Sequence, residues 1–267
     1  MAVARRELGL TGFDLPVVGV AASQPFNVIG KESQTDRVRL VRSAIERGID
    51  LFATSPAYGE AERILAAGVA GSRHRATVMS TIRNPDIPAA YREIDMSLHL
   101  FDGRIDLFMV NWLAASDEML TSLARMRAVG EAAAVGVECQ ALESFCHIAP
   151  RILAEGIDLV SIPATLLLMN EASELLSGIA DRQCGIVAYV PDGLSAACGA
   201  SLDDLKVNAG KHGLQSVADV ILKMALSHTS ISSVAVPVRR PRELDRLEDI
   251  ASSPVFNASE MAALRTH

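Results

Sequence analysis

The chain has 267 residues, of which 49% are hydrophobic and 21% are charged, and its formal net charge is −7. This length and composition are typical of a globular protein with a substantial core. The negative charge and an aromatic content of only 4% argue against general affinity for nucleic acid or for an anionic membrane surface. We therefore expect the binding partner to be a small molecule.

The sequence carries no recognisable signal for export or for membrane insertion. Arg5 and Arg6 are not followed by an apolar segment, and no apolar run approaches the ~18 residues that span a bilayer. The four cysteines show neither CxxC nor zinc-like spacing, which is typical of reduced thiols without a metal site. We expect a cytoplasmic protein, with a monomer or a homodimer as the default assembly.

Eight short apolar runs, rich in β-branched residues, recur along the chain and predict strands. In chain order they cover residues 17–21, 50–53, 76–81, 105–111, 133–137, 159–162, 185–189 and 233–236. Their apolarity is continuous rather than alternating, which is typical of parallel strands that are buried on both faces.

Amphipathic segments separate these runs and predict helices. The first, over residues 35–48, places Val38, Val41 and Ile45 along one face and ends at Gly48, a residue typical of helix C-termini. The remaining helices are predicted over residues 60–70, 89–101, 117–129, 142–155, 171–182, 216–228 and 242–252.

This alternation predicts one α/β domain over residues 1–267, a (β/α)8 TIM barrel. Residues 6–16 contain two short extended pieces around Thr11 and Gly12, which predict an N-terminal β-hairpin that closes the bottom of the barrel. An open doubly wound sheet is the alternative that the same alternation allows.

Seven blocks of the sequence resemble the aldo-keto reductase family, and they occur in the family's order. They are RELGLTGFDLPVVGVA (6–21), AIERGIDLFATSPAYGEAERILAAGV (44–69), TVMSTIR (77–83), IDLFMVNW (105–112), MRAVGEAAAVGVECQ (126–140), GIVAYVPDG (185–193) and SVAVPVRRPRELDRL (233–247). The second block resembles the family segment FDTAxxYGxxE, and the last resembles its phosphate-binding stretch. The resemblance implies a barrel enzyme that transfers hydride between NADP(H) and a carbonyl compound.

The resemblance also implies a catalytic tetrad of Asp, Tyr, Lys and His, of which this sequence keeps only Tyr58. Ala53 stands at the Asp position, Ile82 at the Lys position and Asn111 at the His position. In the family the Lys cation lowers the pKa of the Tyr phenol so that the phenol exchanges a proton near neutral pH. Arg83 follows Ile82, and we expect it to supply a cation only where the strand bulges, because neighbouring strand residues point to opposite faces.

The positions that the resemblance assigns to the cofactor are partly changed. Glu138 and Cys139 stand where a Ser-Asn pair binds the nicotinamide carboxamide, whereas Tyr189 keeps the aromatic position that stacks on the nicotinamide. Three arginines in the last block are candidates for the 2′-phosphate: Arg239, Arg240 and Arg242. NADP(H) is therefore a candidate cofactor, although the loss of the carboxamide contacts argues against it.

The candidate site lies where the carboxyl ends of the strands meet, since barrel enzymes carry their active sites there. The predicted catalytic residues are Tyr58, Glu138, Asn111 and Asp192. The predicted pocket residues are Trp112, Arg83 and Ser23.

Three functions remain open on the sequence alone. We place first a diverged enzyme that acts on a small oxygenated metabolite by acid–base chemistry, of the lyase, dehydratase, isomerase or cyclase type, because both the tetrad and the carboxamide contacts are changed. The second is an atypical NADP(H)-dependent carbonyl reductase in which Tyr58 or an ordered water donates the proton. The third is a non-catalytic barrel that binds a nucleotide or regulates a partner.

Overall fold

The computed structural model describes residues 3–154, 156–192 and 202–265. Its strands are β1 (Arg5–Glu7), β2 (Asp14–Pro16), β3 (Val18–Ala21), β4 (Leu51–Thr54), β5 (Thr77–Ile82), β6 (Ile105–Asn111), β7 (Ala132–Glu138), β8 (Leu159–Pro163), β9 (Gly185–Tyr189) and β10 (Ser233–Pro237). Its helices are α1 (Lys31–Glu46), α2 (Ala61–Val69), α3 (Ile87–Leu100), α4 (Asp117–Val129), α5 (Leu142–Ala154), α6 (Asn170–Ala180), α7 (Leu202–Lys211), α8 (Val217–Ser227), α9 (Pro241–Ser252) and α10 (Ala258–Leu264).

Strands β3 to β10 form a closed barrel in chain order, and β10 pairs with β3 to complete it. All neighbouring strands in the barrel are parallel, and helices lie between them along the chain. The predicted (β/α)8 barrel is confirmed, and the alternative of an open doubly wound sheet is wrong. Each barrel strand lies within one residue of its predicted bounds, whereas α7 and α10 were not predicted.

The N-terminal hairpin closes one end of the barrel. β1 pairs with β2 in antiparallel register, and the buried side chains of Leu8 and Leu15 pack against Leu51 and Leu107 in the barrel interior. Gly9 has a φ of +51°, and a Cβ atom there would lie only 2.3 Å from the carbonyl oxygen of Gln183. The hairpin turn therefore presses directly on the start of β9, as expected for a plug.

Side chains along each barrel strand alternate between the interior and the surrounding helix layer. The interior cluster includes Met79, Leu107, Met109, Ala134, Leu159 and Val187. Continuing the same alternation toward the carboxyl ends of the strands reaches Arg83 after β5, Asn111 on β6, Glu138 on β7, Ser161 on β8 and Tyr189 on β9. The pleat of the barrel thus brings most of the polar candidate residues to one end.

In the part of the chain that the structure describes, no helix is long and apolar enough to cross a membrane. Cys139, Cys146 and Cys184 are free thiols, and Cys198 lies outside the described residues. Burial raises the pKa of the Cys139 thiol, and the nearby Glu138 carboxylate adds to the shift. This thiol is therefore protonated near neutral pH, which makes it a poor nucleophile.

Candidate functional site

A cavity of about 250 Å³ opens at the carboxyl ends of the barrel strands. Six of the predicted catalytic, pocket and cofactor-binding residues line it: Ser23, Tyr58, Arg83, Glu138, Tyr189 and Asp192. Five further polar residues line the cavity and were not predicted as site residues: Gln24, Thr54, Thr81, Gln140 and Ser161. Once the register of β5 is known, the alternation of interior positions identifies Thr81, because it lies two residues after the interior Met79.

A short turn after β4 carries Tyr58 over the barrel mouth. The buried Ser55 hydroxyl donates to the Thr81 carbonyl at 2.6 Å and accepts from the Ala57 backbone N–H, which starts a single 3₁₀ turn at Pro56–Tyr58. The turn ends at Gly59, whose φ is +61° and whose missing Cβ would lie 2.5 Å from an oxygen of Asn27. The sequence around Tyr58 therefore fixes the direction in which the phenol leaves the strand.

Arg83 points into the cavity, which differs from the expectation based on Ile82. Ile82 is fully buried between the barrel and the helices, whereas Met79, Thr81 and Arg83 line the cavity. β5 pairs with β6 in regular register through Ile82, so the ordinary pleat, rather than a bulge, turns Arg83 inward. The assignment of Ile82 to the cavity position was therefore wrong by one residue.

The Arg83 guanidinium lies over the Tyr58 ring, with its central carbon 5.2 Å from the ring centroid. Burial raises the pKa of the Tyr58 phenol, and the Glu138 and Asp192 carboxylates add to the shift, whereas the Arg83 cation opposes it. Tyr58 is consequently protonated through the neutral pH range and beside a cation. A phenol in this state can donate a proton.

Glu138 lies on the far side of Arg83. Nη2 of Arg83 donates to Oε2 of Glu138 at 2.5 Å, and Nδ2 of Asn111 donates to Oε1 at 3.1 Å. Burial raises the pKa of Glu138, while Arg83 and the amides of Asn111 and Gln140 oppose the shift. Both carboxylate oxygens are engaged within the protein, so Glu138 is not presented as a free general base.

Asn111 was predicted as a catalytic residue and Trp112 as a pocket residue, but neither side chain lines the cavity. The Asn111 side chain accepts from the Leu113 backbone N–H at 3.1 Å while it donates to Glu138, so both ends of its amide are used. Trp112 packs edge-on against His147 with 6.2 Å between ring centroids, because the residue after an interior position points outward. Among the described residues that line the cavity, neither Asn111 nor Trp112 is present.

The rim of the cavity joins three loops. The Ser23 hydroxyl donates to Asp192 at 2.6 Å, and the Arg239 guanidinium approaches the other oxygen of Asp192 at 3.7 Å. Arg239, Arg240 and Arg242 are exposed around the start of α9, where the helix N-terminus favours anions.

The sequence from residue 19 to residue 267 matches the model of the Aldo/keto reductase family. The chain belongs to the aldo/keto reductase family. This membership overturns the function placed first in the sequence analysis, a non-redox acid–base enzyme. The engagement of Glu138 by Arg83 and Asn111 agrees with that correction, because the carboxylate proposed as the acid–base group is held by other side chains.

Solved aldo/keto reductase structures share the fold. The holo form of an aldo-keto reductase from Bacillus halodurans has a TM-score of 0.77 at 15% identity, with 98% of this chain and 95% of that chain covered. An aldo/keto reductase from Klebsiella pneumoniae in complex with NADP and acetate has a TM-score of 0.76 at 17% identity, with 98% and 94% covered.

One curated relative matches over a shorter segment. L-galactose dehydrogenase from Arabidopsis thaliana is 41% identical over 66 residues, which cover 24% of this chain and 21% of that protein. The chain therefore aligns with about a fifth of that relative's length, too little to carry its activity across.

Two buried polar atoms at the cavity have no hydrogen-bond partner among the described residues of this aldo/keto reductase. They are Oγ of Ser161 and Nε of Arg83. Arg83 is already bonded to Glu138 through another nitrogen of its guanidinium, whereas the Ser161 hydroxyl is free to bond a ligand in the cavity. Ser161 is 1% exposed and lies on β8, next to Glu138 in the strand register.

Proposed function

We propose that this aldo/keto reductase is an NADP(H)-dependent oxidoreductase that reduces a small carbonyl compound to an alcohol. The observation that carries the proposal is the Arg83 guanidinium 5.2 Å from the centre of the Tyr58 ring, inside the cavity at the catalytic end of the barrel. The similar structure from Klebsiella pneumoniae, which contains NADP and acetate, supports this cofactor.

The residues at the site fit the cofactor. Tyr189 would hold the nicotinamide ring by stacking, and the unpartnered Ser161 hydroxyl would bind its carboxamide. Burial raises the pKa of Tyr189 strongly, and Glu138 adds to the shift, so this ring remains a neutral phenol. The exposed arginines at the start of α9 would bind the 2′-phosphate: Arg239, Arg240 and Arg242.

When bound, NADPH would supply the hydride that adds to the carbonyl carbon, leaving NADP⁺. The Tyr58 hydroxyl gives its proton to the carbonyl oxygen: the phenol O–H bond breaks and the O–H bond of the product alcohol forms. The Arg83 cation stabilises the phenolate that remains. A proton from solvent at the open mouth then restores Tyr58.

Under this proposal Arg83 takes over the work of the lysine in the family tetrad, and Ala53 leaves the aspartate position without a carboxylate. The raised pKa of Tyr58 keeps the phenol protonated near neutral pH, which is the form that reduction needs. The reverse oxidation needs the phenolate and would accelerate only as the pH rises toward the pKa of Tyr58.

The substrate class follows from the size and charge of the cavity. A volume of about 250 Å³ admits only a small molecule beside a nicotinamide ring. The Arg83 charge is already paired with Glu138, so no free cation inside the cavity attracts an acid among the residues that the structure describes. Hydroxyl and amide groups dominate the polar lining, which suits a neutral, hydroxylated carbonyl compound.

The test measures NADPH oxidation by purified protein against a panel of small neutral aldehydes and ketones, with Tyr58→Phe as the informative variant. We expect this variant to lose roughly 10²–10⁴-fold in kcat, because the proton donor is removed. Tyr91→Phe is the matched control, since Tyr91 is exposed on α3, and it should retain full activity.

Two results would contradict the proposal. Equal turnover by wild type and Tyr58→Phe would exclude Tyr58 as the donor. Saturable binding of NADPH without turnover of any carbonyl compound would instead favour the non-catalytic nucleotide-binding barrel.

A further inference from the structure

Glu138 is a buried carboxylate without an obvious part in carbonyl reduction. Its side chain is only 5% exposed, and burying an ionised carboxylate is costly unless it is paired and hydrogen-bonded. Its two oxygens bind Arg83 on one side and Asn111 on the other. The same guanidinium that meets Glu138 also covers the Tyr58 ring.

We propose that Glu138 is a positioning residue that holds the Arg83 guanidinium over Tyr58, and that Asn111 holds Glu138 in turn. This inference rests on the proposed function, since it matters only where Tyr58 donates the proton. It gives roles to two side chains that the reaction itself does not use.

The need for a positioning residue follows from the place of Arg83 in the chain. Arg83 comes directly after the last residue of β5, and its side chain is 23% exposed. A long charged side chain at an open mouth would otherwise extend its guanidinium into water. The bond of 2.5 Å to Glu138 fixes one nitrogen of the planar guanidinium, which leaves its face free to lie on the phenol.

Asn111 completes the support. Its oxygen accepts from the Leu113 backbone N–H, which fixes the amide, and its nitrogen then holds Oε1 of Glu138. Arg83, Asn111 and Glu138 come from the ends of three adjacent strands, β5, β6 and β7. The support for the cation is therefore built into the rigid barrel rather than into a loop.

Glu138 influences Tyr58 in two opposing ways. Its negative charge by itself disfavours the Tyr58 phenolate. Its hydrogen bond to Arg83 favours the phenolate, because it keeps the cation over the ring. The charged groups that face Tyr58 are Arg83 after β5, Glu138 on β7 and Asp192 after β9. An experiment must therefore keep the charge at position 138 constant while it changes the ability of that side chain to hydrogen-bond the Arg83 guanidinium.

Glu138→Gln and Glu138→Met make this comparison, because both side chains are neutral and similar in size but only glutamine can accept from Arg83. We would label tyrosine at Cζ and follow its NMR resonance with pH in protein free of cofactor and substrate, with Tyr58→Phe to assign the signal. We expect a higher pKa of Tyr58 in Glu138→Met than in Glu138→Gln. The kcat for reduction should be about tenfold lower in the methionine variant.

The Arg83→Met background is the control, because no guanidinium remains to be positioned and the two substitutions should then give the same pKa of Tyr58. Glu138→Asn replaces the methionine variant if that variant does not fold, since its neutral amide ends one methylene short of Arg83. Equal pKa values of Tyr58 in the Arg83-containing variants would overturn the inference. The readout needs no turnover, so it can fail while the proposed reductase activity stands, and the reverse also holds.

Discussion

Each end of the barrel carries a buried carboxylate that is paired with a half-buried arginine, but the two arginines face different groups. At the amino ends of the strands, Asp106 pairs with Arg73 at 2.7 Å and accepts the Val78 backbone N–H at 2.8 Å. At the carboxyl ends, Glu138 pairs with Arg83, whose guanidinium lies over a phenol. The two arginine side chains are equally exposed, at 23%, so burial does not distinguish them.

The larger void is not the candidate active site. The cleft at the amino ends measures about 1050 Å³, against about 250 Å³ for the cavity beside Tyr58. Arginines of the larger cleft bind carboxylates that belong to the fold, as Arg5 does with Asp50 and Arg47 with Glu248. Under the proposed function, the group that an arginine faces, and not the volume beside it, distinguishes an ion pair that serves the reaction from a structural one.

Of the two ion pairs, the one beside Tyr58 should have the larger effect on the reaction when both of its partners are replaced. Arg83→Met/Glu138→Gln should lower kcat for reduction by roughly 10²-fold, because Tyr58 loses its cation and becomes harder to deprotonate. Replacing both partners leaves no unpaired buried charge, so the free energy of unfolding should change little. Steady-state kinetics and urea denaturation on the same samples would check this. An unchanged kcat would show that the pair beside Tyr58 does not serve the reaction.

The matched change at the other end should do the opposite. Arg73→Met/Asp106→Asn weakens the acceptor of the Val78 N–H and removes the ion pair, so we expect a loss of about 1–3 kcal/mol in the free energy of unfolding. The kcat for reduction should be unchanged, because this pair lies at the opposite end of the barrel. A large fall in kcat without loss of stability would show that this end also serves the reaction.

A smaller effect is expected at the cofactor rim. Arg239→Ala should raise the KM for NADPH about tenfold and leave the KM for NADH unchanged, because only NADPH carries the 2′-phosphate. Arg63→Ala is a suitable control, since Arg63 is 67% exposed on α2 and pairs with Glu60. Equal losses with both cofactors would place Arg239 elsewhere than at the 2′-phosphate.

The smallest effect concerns Glu62, a buried carboxyl that accepts from the hydroxyls of Ser80 and Ser97 rather than from an arginine. Burial raises the pKa of Glu62, so the folded state holds this proton more tightly than the unfolded chain, where glutamate titrates near about 4.3. The stability that Glu62 contributes is therefore present below that pH and is lost as the pH rises through the folded pKa.

Glu62→Gln lacks this titration. The difference in unfolding free energy between wild type and Glu62→Gln should shift in favour of the variant as the pH rises from acid to neutral. Chemical denaturation at several pH values measures it, and a constant difference would show that folding does not change the pKa of Glu62.

The barrel could be predicted from the sequence because each buried strand is a continuous apolar run, and the plugging hairpin because extended pieces flank Thr11 and Gly12. Tyr58 could also be placed, since its segment fixes both the strand end and the turn. Arg83 was predicted at the pocket, but only with a bulge in the strand, because an alignment that puts Ile82 at the lysine position turns Arg83 to the opposite face. Met79 and Thr81 lie on the cavity face and show that Arg83 shares that face, but this is visible only once the register of β5 is known.

The contacts between strands were beyond the sequence. Glu138 and Asn111 were predicted as independent catalytic groups, whereas in the structure they bind each other at 3.1 Å across neighbouring strands. Trp112 was expected at the pocket and lies against His147 instead. Such pairings depend on the register between strands that are far apart in the chain, which no local pattern encodes.

The most direct test of the proposed reaction follows the transfer of deuterium from NADPH to the carbonyl carbon of the substrate. NADPH carrying deuterium in place of both hydrogens at C4 of the nicotinamide would be incubated with the protein and a small neutral aldehyde, and the product analysed by mass spectrometry and NMR. The account predicts an alcohol with deuterium on the former carbonyl carbon, formed in equal amount to the NADPH consumed. A product that forms without deuterium, or without loss of NADPH, would contradict hydride transfer as the reaction of this protein.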